Sequence, residues 1–274
     1  MKSRRLWSVI ALAVVVAGSI TAVAQRSRGY RRERRDPLDR GGVPEWKNDE
    51  QFKEDVFIFT RVRYKSWGGG WGNDKWATDY RDADLNISFR LQQLTTVESD
   101  PDGRVVELTD DALFDYPLIY MVEPGQMYLD EEEVLALRKY CFNGGFLWVD
   151  DFWGEDEWDN FYENIKRVFP DREPRELPLE HPIFHCVYDL KRKPQIPSIH
   201  AWYRGYTTER LDAQEAHYRA IFDDKGRIMA LICHNTDIGD GWEREGMDQG
   251  YFKEFSEKWS YPMGINIVTY AMTH

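Results

Sequence analysis

The chain has 274 residues, with 36 Lys and Arg against 48 Asp and Glu, a formal net charge of −12. That length bounds it to one large domain or two small ones, and the acidic balance excludes a protein that works by neutralising nucleic acid phosphates. Three cysteines are too few for a disulfide scaffold; Cys141, Cys186 and Cys233 each sit in an apolar run, which predicts buried free thiols, with one bridge as the alternative.

In chain order, Lys2, Arg4 and Arg5 form a basic start, residues 6–20 are mostly apolar, and Ala22-Val23-Ala24 offers a cleavage site. This order predicts a secretory signal peptide over residues 1–24, an exported chain (periplasmic or extracellular) and no transmembrane span after cleavage. A retained anchor is the alternative, although the run is short of the ~20 residues a span needs. Between Arg26 and Arg35 there are six arginines and one glutamate. Residues 25–54 are expected as a basic, disordered arm, because so few apolar residues do not offset the entropy of ordering them; contact with anionic lipid or wall polymer is the other use of such a segment. From Asp55 onward, 24 Lys and Arg face 41 Asp and Glu, a net of −17.

Residues 55–274 read as one α/β domain. Val56-Phe57-Ile58-Phe59 is a continuous apolar run, expected as a strand buried on both faces and running on through residues 60–64. Trp67-Gly68-Gly69-Gly70-Trp71-Gly72 reads as a loop. Asp82 or Asp84 is placed to cap a helix with Ile87, Leu91 and Leu94 on one face. Residues 118–122 form a second buried strand, stopped by Pro124-Gly125. Asp130 and Glu133 make a capping-box pair before Val134, Leu137 and Cys141, and Asn143-Gly144-Gly145 ends that helix. Residues 146–149 are a third strand that leads into Asp150-Asp151, followed by a helical stripe of Trp158, Phe161, Ile165 and Phe169. Two further runs, 218–222 and 228–233, flank Asp223-Asp224-Lys225-Gly226 as a hairpin. Residues 251–259 read as helix, and the spacing of Met263, Ile267 and Tyr270 favours helix over strand. Alternating strands and helices predict a three-layer, mostly parallel, doubly wound sheet.

In such sheets, sites form beyond the carboxyl ends of the strands. Asp150 and Asp151 stand there as candidate acid/base groups, or as caps for the helix after them. The decapeptide from His234 to Glu243 supplies His234, Asn235, Asp237, Asp240, Trp242 and Glu243 as candidate ligand-binding residues, or as a polar loop framework. His181, with Pro182 at the first position of a short helix, would cap it and lie four residues from His185. That is the spacing of a metal-binding pair, without the glutamate of the zinc-peptidase motif. Whether a metal or cofactor binds stays open. Trp67, Trp71, Trp76, Trp153, Trp202 and Trp242 fall in expected loops, either as sugar platforms or as rings burying the loops against the body. The turn Val149-Asp150-Asp151-Phe152-Trp153-Gly154 holds neither Ser nor Cys, so no elbow nucleophile is present.

The blocks "LFDYPLIYM" (113–121), "LRKYCFNGGFLWVDD" (137–151), "LPLEHPIFH" (177–185), "DIGDGWE" (237–243) and "GINIVTYAMTH" (264–274) resemble the bacterial family called domain of unknown function 4159. The resemblance covers nearly all of residues 55–274. The family is similar to class I glutamine amidotransferase-like α/β domains, and His181-Pro182-Ile183 is similar to a step in their trehalose-utilisation-like branch. The resemblance implies a flavodoxin-like fold. It does not carry over the amidotransferase mechanism, whose cysteine elbow is missing here. Two functions are therefore expected. The first is a cell-envelope binding or scaffolding module that holds a polar small molecule, a glycan or an envelope protein at the acidic rim. The second is a hydrolase-like enzyme on a polar substrate, with Asp150 or Asp151 as acid/base and His181, His185, Asp237 and Asp240 positioning substrate or a divalent metal.

Overall fold

Three apolar runs supply the middle of one central sheet: β4 (Leu118–Val122), β6 (Phe146–Asp150) and β9 (Ile228–His234), all fully buried. Around them lie β1 (Thr60–Arg63), β3 (Arg104–Glu107), β7 (Arg175–Glu176) and β8 (His217–Phe222), in the order β3-β1-β4-β6-β9-β8-β7. The first five strands of that order are parallel, and β8 and β7 close one edge antiparallel. Short β2 (Lys65–Ser66) and β5 (Met127–Tyr128) pair apart from this sheet. The structure, a computed structural model, describes residues 40–52, 55–67, 75–243 and 245–274. The expected signal peptide, most of the expected arm, and Gly68 to Gly72 with Trp71 lie outside the described residues.

The flanking helices are α1 (Asp82–Leu94), α2 (Glu131–Phe142), α3 (Gly154–Val168), α4 (Ile199–Tyr203), α5 (Asp240–Glu243), α6 (Gln249–Tyr251) and α7 (Tyr261–Thr273), with a π-helical stretch, Phe252–Ser260, joining the last two. The period-2 alternation of the strands divides the interior. Tyr120, Trp148, Leu231 and Cys233 pack with α1 and α7 on one face. Met121, Leu147, Val149 and Ile232 pack with α2 and α3 on the other. The result is a three-layer, mostly parallel, doubly wound α/β fold. Among the described residues, no helix is long and apolar enough to cross a membrane.

The capping box at Asp130 forms as expected, with the Glu133 amide donating to Asp130 Oδ1 at 3.0 Å. The hairpin of β8 and β9 and the C-terminal helix form too. Elsewhere the residues behave differently. Phe57 makes one isolated bridge to Ser99, and the first strand begins at Thr60 instead. Its Arg61 is fully buried and faces Asp84, and neither Asp82 nor Asp84 caps α1, whose N-cap position is Arg81. Leu94 is half exposed rather than part of the buried face. Residues 40–52, expected as the end of the arm, belong to the unit Arg40–His274. There Trp46 Nε1 donates to Ser99 O at 2.8 Å and the indole packs on Phe89. The three cysteines are free, but only Cys141 and Cys233 are buried, and Cys186 is exposed.

β1 has β3 on one side and β4 on the other, so the winding direction reverses between β1 and β4. The loops after β1, β4, β6 and β9 all leave from the carboxyl end on or beside this reversal, where the fold opens a crevice.

Candidate functional site

Each of those four parallel strands delivers an acid to the same rim. Asp79 follows β1 and β2, Glu123 follows β4, Asp150 and Asp151 end β6, and Asp237, Asp240 and Glu243 follow β9. Asp79, Glu123 and Asp151 sit in left-handed backbone, at φ 61°, 48° and 57°, as does Asn235 at 60°. Outside glycine that conformation is uncommon, Asp and Asn tolerate it best, and it concentrates where a site fixes side-chain direction against local preference.

Asp79, Asp151 and Asp237 place one ligand oxygen each within 4.8 Å of one another, and so do Asp79, Asp240 and Glu243. All five acids are buried. Donors from the chain fix several of them. Trp153 Nε1 donates to Asp151 Oδ1 at 3.0 Å, the Asp240 amide to Asp237 Oδ1 at 2.7 Å, and the Ile199 amide to Asp240 Oδ2 at 2.7 Å. Asp79 Oδ2 accepts no hydrogen bond from the described residues. Gly239 is required in this turn, since a Cβ there would come within 2.8 Å of Tyr120 Oη and 3.1 Å of Asp79 Oδ2.

Burial pushes Asp79, Asp151 and Asp237 well above the usual carboxylate range. Glu243 and Asp240 add to this at Asp79, Glu123 and Glu209 at Asp151, and Asp151 and Asp79 at Asp237. Arg61 and Lys75, the cations that feel this field, are committed elsewhere. Arg61 Nε meets both Asp84 oxygens at 3.0 Å and its Nη1 holds the Thr78 carbonyl at 2.7 Å, which anchors the loop before Asp79. Lys75 pairs with Glu123 at 2.5 Å. Three carboxylates this close repel by roughly 3–4 kcal/mol per pair at an effective dielectric of 20. The cluster therefore gathers positive charge, as protons or as a cation. An all-oxygen donor set of this kind suits hard ions such as Mg2+, Ca2+ or Mn2+.

Above Asp151 a cavity of about 290 Å³ is lined by Trp153, Lys75, Glu123, Glu209 and Arg210 among others. It lies at the small end of small-molecule pockets, which span roughly 300–1,000 Å³. The sequence pattern of one protein family matches residues 58–272, a span that contains every strand of the sheet and all five clustered acids. The chain belongs to the DUF4159 family, a domain of unknown function. No curated protein matches it.

In this DUF4159 chain the sequence candidates separate. Asp151, Asp237, Asp240 and Glu243 converge. Asp150 lies beneath them, fully buried, with Oδ2 held by Tyr120 Oη at 2.9 Å and the Gly239 amide at 3.0 Å; burial raises its carboxyl to about 7. Neither Asp150 nor Asp151 caps α3. Asn235 Oδ1 takes the Gly154 amide and Asp212 the Glu155 amide instead. Asn235 Nδ2 donates to Glu215 O, so this residue is a clamp between loops. His234 Nε2 donates to Gly154 O at 3.0 Å, which leaves Nδ1 to accept from Arg219, and the ring packs on Phe152.

Trp242 is fully buried, its ring centroid 5.4 Å from that of Trp148, so it forms core and presents no face to a ligand. Of the other tryptophans, Trp153 is buried against Asp151, Trp202 is in α4 and Trp67 is exposed. His181 does cap its short helix, with the Ile183 amide donating to Nδ1 at 3.3 Å, but it packs beside Tyr270. Helix α7 starts next to Ser260, which binds the Ile238 carbonyl at the acid rim. Tyr270 lies nine residues beyond Tyr261, about 14 Å along the helix axis at 1.5 Å per residue. His185 is held by Asp189 and the Leu179 carbonyl. The structure does not bring these two histidines to the acids. Sequence reasoning missed Asp79, Glu123, Lys75, Glu209 and Arg210. Glu123 was within reach of the rule that selected Asp150 and Asp151, because it directly follows a buried parallel strand.

Proposed function

We propose that this DUF4159 chain is a cation-dependent binding domain. A divalent cation in the acid cluster would hold a small, oxygen-rich polar ligand, such as a sugar or sugar acid, in the cavity above Asp151. One observation carries the reading: Asp79, Asp151 and Asp237, from three different loops, aim oxygens within 4.8 Å of one another in a buried place whose basic neighbours are already paired. Uncompensated charge of this kind is costly inside a protein unless it is paired or coordinates a metal. The donors on Asp151, Asp237 and Asp240 fix ligand direction, as groups behind metal ligands do. The start of the sequence, Met1 to Ala24, supports placing the domain in the cell envelope, where a glycan or an envelope protein could supply the ligand.

The hydrolase reading has less behind it. Asp150 is enclosed by Tyr120 and Gly239, and His181 and His185 lie elsewhere, packed against Tyr270 and held by Asp189. The likeness to class I glutamine amidotransferase-like domains is supported by the parallel sheet and the Asp151 turn alone.

Calorimetric titration of chelator-treated protein with Mg2+, Ca2+ and Mn2+ tests the proposal. Saturable binding of at least one ion is expected, reduced in Asp151→Asn. Envelope sugars should then raise the melting temperature only when that ion is present. Failure of all three ions to bind would overturn the reading.

A further inference from the structure

The acids of the site fall into two sets. Asp79, Asp151 and Asp237 form one, and Asp79, Asp240 and Glu243 form the other, each with its ligand oxygens within 4.8 Å. Asp79 belongs to both. We propose that the cluster is a two-cation centre, in which Asp79 bridges an outer divalent ion held with Asp151 and Asp237 to an inner one held with Asp240 and Glu243. This rests on the cation reading above and specifies its stoichiometry.

Three observations support it. The first is charge. Five ionised carboxylates bring −5, against which one divalent ion sets +2 and two ions +4; Arg61, paired with Asp84, also acts on Asp79. The second is Asp79 itself. Its side chain is about nineteen-twentieths buried, at 5% exposure, and Oδ2 accepts no hydrogen bond from the described residues. That oxygen faces the turn between Asp237 and Asp240: a Cβ built at Gly239 would lie 3.1 Å from Asp79 Oδ2 and 3.7 Å from Asp237 Oδ1. A carboxylate with one oxygen turned toward the loop that bears ligands of both sets is placed to bridge, and bridged pairs of ions sit about 3.5–4 Å apart. The third is depth. Asp151 lines the cavity, whereas Asp240 and Glu243 are carried by α5, which packs against α1. The outer ion therefore meets the ligand, and the inner ion fixes Asp79 and the Gly239 turn.

Mn2+ is the probe. Chelator-treated 274-residue chain is dialysed against Mn2+, bound metal is counted, and the electron paramagnetic resonance spectrum is recorded. Two Mn2+ per chain with an exchange-coupled signal are expected. Glu243→Gln and Asp151→Asn should each fall to one Mn2+ with an uncoupled signal, and Asp79→Asn should lose the coupled signal. One Mn2+ in the unaltered chain, or two without coupling, overturns the two-cation centre while leaving a cation site standing. No bound Mn2+, Mg2+ or Ca2+ overturns both. The unaltered chain alone decides between these outcomes, so a variant that fails to fold does not block the test.

Discussion

Replacing Asp237 by asparagine keeps its size and its bond from the Asp240 amide while removing one negative charge from the cluster. If the acids exist to hold a cation, this change relieves repulsion in the metal-free protein. Asp237→Asn is therefore expected to melt higher than the unaltered chain in chelator and to show a smaller response to added cation. If the acids are a protonated framework, it moves neither quantity. Arg61 argues the other way. It is fully buried and paired with Asp84, and its Nη1 holds the carbonyls of Trp76 and Thr78. Arg61→Met leaves Asp84 as a buried, unpaired charge, so a loss of about 3–5 kcal/mol is expected in urea unfolding; adding Asp84→Leu should recover part of it. At Gly239 a methyl group would press on Tyr120 Oη and Asp79 Oδ2. Gly239→Ala is expected to weaken the calorimetric cation affinity by at least about tenfold, 1.4 kcal/mol, because the Asp79 carboxylate has to turn.

Among the elements, the turn from β6 into α3 and the turn after β9 are tied together. Asn235 N donates to Phe152 O at 2.9 Å, Asp151 N to Thr236 O at 3.2 Å, and the side chains of His234 and Asn235 both reach Gly154. This tie sets Asp151 and Asp237 at a fixed separation, and it gives the fold a pH dependence remote from the acids. Burial holds His234 neutral, its pKa pushed down to about 4. The unfolded chain takes up that proton near 6.5, so between 6.5 and 4 it binds more protons than the folded one and stability falls as pH falls. The loss attributable to His234 approaches roughly 3 kcal/mol at the acid end. The raised carboxyls of Asp150 and the clustered acids act in the opposite sense, so the His234 contribution is the difference in slope between the unaltered chain and His234→Gln in urea melts at pH 7 and 4.5; equal slopes would contradict it. These ties also explain what was legible in the sequence. The strands 118–122, 146–150 and 228–234 announce themselves as apolar runs ending in polar turns, and Asp130 with Glu133 announces a capped helix. The burial of Arg61, the short edge strand β3 and Asp79 carry no such signal, because tertiary pairing across the rim decides their places. The spacing of His181 and His185 points to a metal pair, but Asp189 and the Leu179 carbonyl already hold His185.

For the molecule as a whole, the sheet order places the loops after β1, β4, β6 and β9 beside the point where the winding direction reverses. That architecture was legible from the alternation of strands and helices; the antiparallel β8 and β7 refine it. The site was half legible, since the strand-end rule found Asp151, Asp237, Asp240 and Glu243 but credited Trp242, which the core takes. The molecule-level expectation is that folding and cation binding are linked, because five acids from distant segments converge only in the folded chain. The most direct measurement is thermal unfolding of chelator-treated protein with and without Mg2+, Ca2+ or Mn2+. An ion at about one hundred times its Kd adds ~2.7 kcal/mol, which for a chain of this size raises the Tm by ~5–10 °C. A rise of that order with at least one ion, smaller in Asp237→Asn, is the predicted result; a Tm indifferent to all three ions would contradict the account.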